Sequence, residues 1–195
     1  MSFSLPTLHT ERLTLRPVSA SDAPALFAIF GDERVMRYWS SPPQKDLADA
    51  VTLVEEIATS SASGSLVTLG IERRADRQVM GTCTLHARHV PSRRGELGYA
   101  LGANYWGQGY MHEALTCFLR YLFDTLDVNR LEADIDPANL SSARTLERLG
   151  FEREGYLPER WIVGGAVSDS ALYGLLARRW RSLHDTVEPA TLSTP

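Results

Sequence analysis

The sequence predicts an α+β fold, a mixed and mostly antiparallel sheet with helices on both faces. Three observations lead there. The segments run strand, two helices, three strands, helix, strand, helix, two strands, which is neither strict βαβ alternation nor all-β. The three consecutive strands are joined by short polar links that suit antiparallel hairpins. One strongly periodic helix then places Met111, Leu115, Phe118, Leu119, Leu122, Phe123 and Leu126 on a single stripe.

Each element has a local reason. Leu13-Thr14-Leu15-Arg16 alternates and reads as the first strand. Ser19 is positioned to cap a helix, with Asp22 three residues on and Pro24 tolerated in the first turn. This helix carries Leu26, Ile29 and Phe30 and stops near Gly31. A second helix runs from about Lys45 to Ser61, with Leu47, Val51, Val54 and Ile57 as its apolar stripe. A Ser-rich turn at 60–64 leads to strands at Leu66–Glu72, Val79–His86 and Gly95–Leu101. After the periodic helix comes a strand at Arg130–Ile135. Asn139 then caps a short helix that ends at Leu149-Gly150. Strands near Phe151–Val163 and Val167–Leu175, joined through Gly164-Gly165, complete a single domain over residues 1–184. Residues 185–195 read as a loose tail.

Bulk properties bound the function. A chain of 195 residues buries a substantial core, and 44% hydrophobic with 23% charged residues is ordinary for a globular protein. A net charge of -4 argues against general nucleic-acid binding. No apolar run spans a membrane and no signal-peptide pattern opens the chain, so a cytoplasmic setting is expected. Cys83 and Cys117 lack metal spacing and read as buried free thiols, and the five histidines form no ligand pattern, so no metal is expected. Monomer and homodimer both stay open.

The most informative stretch is Asn104-Tyr105-Trp106-Gly107-Gln108-Gly109-Tyr110-Met111-His112-Glu113-Ala114. It sits between a strand and the periodic helix. Two glycines one residue apart permit a tight turn and a close backbone approach to a ligand. The helix start adds unpaired N–H groups and the positive end of its dipole, which together bind phosphates. The stretch lacks the third glycine of a dinucleotide fingerprint and the Lys-Ser/Thr of a P-loop.

With its neighbours, this stretch resembles the GNAT superfamily of acetyl-CoA-dependent N-acetyltransferases. Within that superfamily it is similar to the RimJ/RimL-type ribosomal-protein alanine and serine acetyltransferases. The resemblance runs from about Thr10-Glu11-Arg12-Leu13 to Trp180. It is carried by 96–101 (Glu-Leu-Gly-Tyr-Ala-Leu), 105–111 with Glu113-Ala114, Asn139 with Ser142, 146–151 (Leu-Glu-Arg-Leu-Gly-Phe) and 154–157 (Glu-Gly-Tyr-Leu). It implies a GNAT acyl-CoA N-acyltransferase fold whose central strands, Gly95–Leu101 and Arg130–Ile135, splay apart to admit the pantetheine arm of acetyl-CoA. Tyr99, Ala100 and Leu101 would pair their backbone with the pantetheine amides. The N–H groups of Trp106, Gly107, Gln108, Gly109, Tyr110 and Met111 would hold the pyrophosphate. Asn139 would touch the arm as well as cap its helix.

The chemistry implied is direct attack of a primary amine on a thioester. An α-amino group has a pKa of about 8 and a lysine about 10.4, so the amine must shed a proton. A carboxylate, directly or through water, is the usual base. The departing thiolate gains from a hydroxyl hydrogen bond. Many superfamily members place a tyrosine for this on the Asn-capped helix, where this chain has Leu146. Ser142, one turn earlier, is the expected replacement, the alternative being a capping residue only. The subgroup's glutamate after the Glu-Gly-x-Leu block is matched by Trp161. Glu159, two residues earlier and expected on the same strand face, is the substitute base, with Glu96 and Asp134 as alternatives. Tyr38, Trp39 and Trp161 are candidates to line the acceptor site. The acceptor itself stays open between a protein N-terminal α-amino group and a small amine (an amino acid, polyamine or antibiotic). A non-catalytic acyl-CoA-binding module is the reading from another class.

Overall fold

A computed structural model of the chain describes residues 4–184, so the expected tail at 185–195 lies outside the described residues. Eight strands form one sheet. They are β1 (Leu8–His9), β2 (Leu13–Pro17), β3 (Val67–Arg73), β4 (Val79–His89), β5 (Arg94–Leu101), β6 (Arg130–Ile135), β7 (Glu152–Val163) and β8 (Ala166–Leu176), in the spatial order β1-β2-β3-β4-β5-β6-β8-β7. Every neighbouring pair is antiparallel except β5 and β6, which run parallel. The helices are α1 (Ala23–Phe30), α2 (Glu33–Met36), α3 (Leu47–Ala62), α4 (Tyr110–Arg120), α5 (Leu140–Arg148) and α6 (Ala177–His184). The expected α+β class and mixed sheet are therefore present, with helices on both faces.

The sheet separates two cores. On one face Ala114, Leu115, Phe118 and Leu119 of α4, Leu146 of α5, and Ala177 and Trp180 of α6 pack on Leu97, Leu101, Leu131, Ala133, Tyr173 and Leu175. On the other face Leu26 and Ile29 of α1, Val35 and Met36 of α2, and Ala50 and Val54 of α3 pack against Val79 and Ala100. Strand alternation makes this division: along β6, Leu131 and Ala133 are buried while Arg130, Glu132 and Asp134 point to the opposite side. On that second face α1 lies against β4 and α3 against β3. Farther along, from β5 to β7, the same face carries partly exposed charged side chains: Glu96, Arg130, Glu132 and Glu154.

Several expectations shift in detail. The α3 stripe is Ala50, Val54, Ile57 and Ser61, while Leu47 and Val51 are 46% and 43% exposed. Asp46, whose carboxylate accepts the Ala48 and Asp49 N–H groups, starts the helix two residues later than expected and fixes which row faces the sheet. Trp39, a candidate to line the acceptor site, packs edge-on against Phe30 with ring centroids 5.4 Å apart and is partly buried against the α1–α3 core. The periodic helix ends in a π-turn over Tyr121–Thr125 instead of continuing as α-helix. Asp22 works with Ser19 as expected, but its carboxylate also holds the Arg16 guanidinium, which bonds Glu72 as well. Both thiols are free, with Cys83 buried and Cys117 only partly so. β1, α2 and α6 are additional elements.

Candidate active site

The parallel pairing of β5 and β6 is short. Arg94, Gly95 and Glu96 of β5 pair with Arg130, Leu131 and Glu132 of β6, and beyond that register the strands part. Each keeps its outer neighbour: β5 pairs with β4 as far as Leu101, and β6 with β8 as far as Ile135. The result is a V-shaped gap whose closed end is at Glu96 and Glu132. Five residues of β5 line it, an open length of about 16 Å at strand rise. The expected splay is present between the two expected strands.

At the mouth of the gap the chain leaves β5 through a short 3-10 turn, Ala103–Tyr105, and enters α4 across Gly107-Gln108-Gly109. Gly107 has φ +72° and Gly109 φ +78°, so the left-handed backbone explains both glycines. The first intrahelical bond of α4 is from the Glu113 N–H to the Gly109 carbonyl, at 3.1 Å, which leaves the N–H groups of the first turn directed out of the helix start. Trp106 differs from expectation. Its backbone N–H closes the preceding turn on the Ala103 carbonyl and its indole N–H donates to the Leu101 carbonyl at 2.7 Å. The run of backbone N–H groups left for a ligand therefore begins at Gly107.

Residues far away in sequence fasten this loop. The Glu113 carboxylate accepts the Thr10 hydroxyl at 2.6 Å, the Arg12 N–H at 2.9 Å and the Arg12 Nε at 2.6 Å. The Arg12 guanidinium also donates to the Gln108 carbonyl at 3.0 Å and lies over the Tyr110 ring at 4.4 Å. Burial acts to raise the Glu113 carboxyl, but the hydrogen bonds from Thr10 and Arg12 prevail and hold it below the usual carboxylate range. Its place in the first turn of α4 also suits the helix dipole. Thr10 and Arg12 lie about a hundred residues from Glu113, and nothing in the sequence marks their meeting. Met111, beside the cradle, packs partly buried against the main core.

On the α4–α5 side of the gap stands a pair of hydroxyls. Asn139 caps α5, its Oδ1 accepting the Ser142 N–H at 3.1 Å. Ser142 Oγ is 2.6 Å from the Tyr99 hydroxyl, which reaches across from β5. Burial pushes the Tyr99 hydroxyl well above the ordinary tyrosine range, against the opposing pull of the Ser142 hydrogen bond. Leu146, which stands where the resemblance leads one to expect a tyrosine, is fully buried in the core. The hydroxyl of Tyr99 thus stands beside Ser142, a contact the sequence did not show, where only a backbone role was expected of Tyr99.

The three candidate bases are placed apart. Glu96 stands at the closed end of the gap. Asp134, 11% exposed, sits on β6 with Arg160 Nε 3.4 Å away. Glu159 is not on the face of Trp161: a bulge between Leu157 and Trp161 breaks the alternation, and Glu159 adopts φ +51°. Its N–H donates to Asp169 at 2.7 Å and its side chain is exposed on β7, two strands from the gap. Trp161 donates its indole N–H to Ser170 Oγ at 3.1 Å on the same hairpin. Tyr38 follows α2, with the Arg37 guanidinium 5.3 Å from its ring centroid.

Known proteins share this architecture. A model of the acetyltransferase (GNAT) domain matches residues 12–152. The uncharacterized N-acetyltransferase p20 of Bacillus licheniformis is 34% identical over 174 residues, which cover 89% of this chain and 98% of that one. The [ribosomal protein uS5]-alanine N-acetyltransferase of Escherichia coli is 28% identical over 187 residues, covering 89% and 92%. Among solved structures, a GCN5-related N-acetyltransferase from Brucella melitensis superposes with a TM-score of 0.81 at 23% identity, covering 93% and 83%, a likeness of fold. The match of the family model to most of the chain, together with the splayed strands and the glycine cradle, places this protein in the GNAT acetyltransferase family, as an N-acetyltransferase that uses acetyl-CoA.

Proposed function

We propose that the acetyl group goes to the α-amino group of a protein N-terminus, as in the RimJ/RimL-type subgroup. The observation that carries this reading is the uncovered sheet face from β5 to β7. An extended chain end can lie along it and present its amine to the closed end of the gap without entering an enclosed pocket. The 28% identity to the uS5-alanine enzyme over nearly its whole length supports the same acceptor class.

In this reading the pyrophosphate rests on the N–H groups of 107–111, and Tyr99, Ala100 and Leu101 pair with the pantetheine amides. Asn139 borders the arm from the β6 side. A β5 backbone N–H polarises the acetyl carbonyl, a contribution of about 3 kcal/mol when such a donor is preplaced. The Ser142–Tyr99 hydroxyl pair lies on the helix side and steadies the thiolate as it leaves, with Tyr99 kept protonated by its burial. Glu96, on the open side, serves the incoming amine. Glu159, exposed on the hairpin, suits contact with the acceptor chain better than proton transfer.

The test is release of free thiol from acetyl-CoA with hexapeptides beginning in alanine or serine, a lysine-containing peptide blocked at its N-terminus, spermidine, and an aminoglycoside. Fastest turnover with the free alanine or serine terminus supports the reading. Preference for spermidine or the aminoglycoside replaces it with a small-amine acceptor. Tight acetyl-CoA binding with no turnover of any amine would leave an acyl-CoA-binding module.

A further inference from the structure

No pattern in the sequence draws attention to His86, yet the sheet carries it to the closed end of the gap. β4 and β5 pair with His86 opposite Glu96, and Glu96 is the last residue of β5 that pairs with β6. His86 Nε2 lies 3.9 Å from Glu96 Oε1. A Cβ built on Gly98 would stand 3.6 Å from the same nitrogen, so the ring lies over Gly98, just inside the point where the strands part. Both side chains are on the open face, 42% and 35% exposed, and the Tyr99–Ser142 pair is on the other side of the sheet. An amine arriving from solvent on this face would meet the imidazole beside the gap.

The neighbouring charges single out this pair. Four acids on the open face surround the gap. Glu132 is held by Arg94 and Arg130, Glu154 by Arg130, and Asp134 by Arg160. Among the described residues, Glu96 has His86 as its only ion-pair partner. An arginine has no free lone pair with which to accept a proton, whereas an imidazole ring nitrogen has one, so of these four acids Glu96 is the one whose partner is of a type that serves as a proton acceptor. Arg94 on β5 is paired with Glu132, and Arg88, on the same strand as His86, donates to the Gly64 carbonyl. Glu55 and Glu56 of α3 lie on that helix's exposed side.

We infer that the His86 imidazole takes the proton from the acceptor amine, with the Glu96 carboxylate holding the imidazolium that forms. This rests on the acetyl-transfer reading above. The lone pair of a neutral amine forms the C–N bond to the acetyl carbon, and the carbonyl π electrons move to oxygen. One N–H proton passes to His86 Nε2. The carbonyl re-forms, the C–S bond breaks, and sulfur leaves as a thiolate hydrogen-bonded to the Tyr99–Ser142 pair. The imidazolium gives its proton to water and the thiolate takes one from water, so no proton is gained or lost. Glu96 then acts through His86 and is a positioning residue, which sharpens the role given to it above.

The experiment measures kcat against pH, and acetyl-CoA affinity, for the wild type, His86→Gln, His86→Ala and Glu96→Gln, using the fastest peptide of the panel. His86→Gln is expected to lower kcat about 100-fold or more. It should keep the acetyl-CoA Kd within about twofold and abolish the acid limb of the kcat profile. Added imidazole should restore part of the activity of His86→Ala, and Glu96→Gln should fall between wild type and His86→Gln. Turnover of His86→Gln within threefold of wild type with the acid limb intact overturns the inference and leaves the transferase reading standing. A wild-type protein that binds acetyl-CoA and acetylates no amine overturns both. A His86→Ala variant that is inactive, melts like the wild type and ignores imidazole removes the proton-acceptor role.

Discussion

Replacing Glu113 by glutamine tests whether the phosphate cradle is held in shape by its distant fastening. The substitution keeps the side chain's size and removes the charge that three donors share: the Thr10 hydroxyl, the Arg12 N–H and the Arg12 guanidinium. Hydrogen bonds to a charged group contribute roughly 1.5–3 kcal/mol each. Arg12 is 42% exposed, so water screens much of the ion pair. A total loss of about 2 kcal/mol follows, which in a chain of this size lowers Tm by about 4–8 °C. The released guanidinium would also let go of the Gln108 carbonyl, and a loop that must be ordered by its ligand binds less tightly. Acetyl-CoA affinity should weaken about tenfold, corresponding to about 1.4 kcal/mol. The effect has a defined pH window. The folded carboxyl sits below its ordinary value, so its stabilisation is complete above the unfolded glutamate pKa, about 4.3, and is lost as pH falls through the lower folded value. Thermal melts at pH 7 and at about pH 3, with calorimetric titration of acetyl-CoA at pH 7, read all three effects. Equal Tm and Kd at pH 7, or a Tm gap that persists undiminished at pH 3, would refute the reasoning.

Four further outcomes are expected. Ser142→Ala and Tyr99→Phe should each lower kcat about 10- to 100-fold while acetyl-CoA affinity changes less than threefold, and the double variant should be little worse than either, as steady-state kinetics with a double-mutant cycle will show. Gly107→Ala meets no atom within 4 Å in the free chain, so melts should register only the cost of a left-handed alanine, about 1–2 kcal/mol. Its methyl group would face the bound phosphates, so acetyl-CoA affinity should fall more than stability does. Leu146→Tyr, which restores the residue the resemblance leads one to expect, should destabilise by about 1–3 kcal/mol in denaturant titrations and fail to raise kcat, because Leu146 is fully buried. Phe118→Ala, at the centre of the α4 packing, should cost about 3–5 kcal/mol in the same titrations.

The segments proposed to hold the donor were legible because they are local. Strand, two glycines and helix start lie within 20 residues, and Asn139 with Ser142 within four, so spacing alone assembles them. The grouping proposed to face the acceptor was not, although Glu96 itself was a candidate. His86, Glu96 and Glu132 come from three strands, and only the register of β4 on β5 and of β5 on β6 brings them to one face. The same applies to Arg12 and Glu113, which meet across about a hundred residues. Glu159 was misplaced for a different reason: period-two alternation holds only in an unbroken ladder, and the bulge at 158–160 moves it to another side. Within the fold, the long periodic segments were recovered to within a few residues. The misses were two-residue β1, four-residue α2, and α6, whose Arg178-Arg179 and Arg181 mask an apolar contact made by Ala177 and Trp180.

The break between β5 and β6 has a consequence for how the molecule holds together. Five strands on one side and three on the other are ladder-bonded only through three residue pairs, so the two parts of the sheet stay together chiefly by packing on α4, α5 and α6. A pantetheine arm that pairs with β5 would stand in for the missing stretch of ladder. Acetyl-CoA would then be structural as well as reactive. By mass action it would tighten the folded state, and the amides of β5 beyond Glu96 would exchange with solvent more slowly when it is bound.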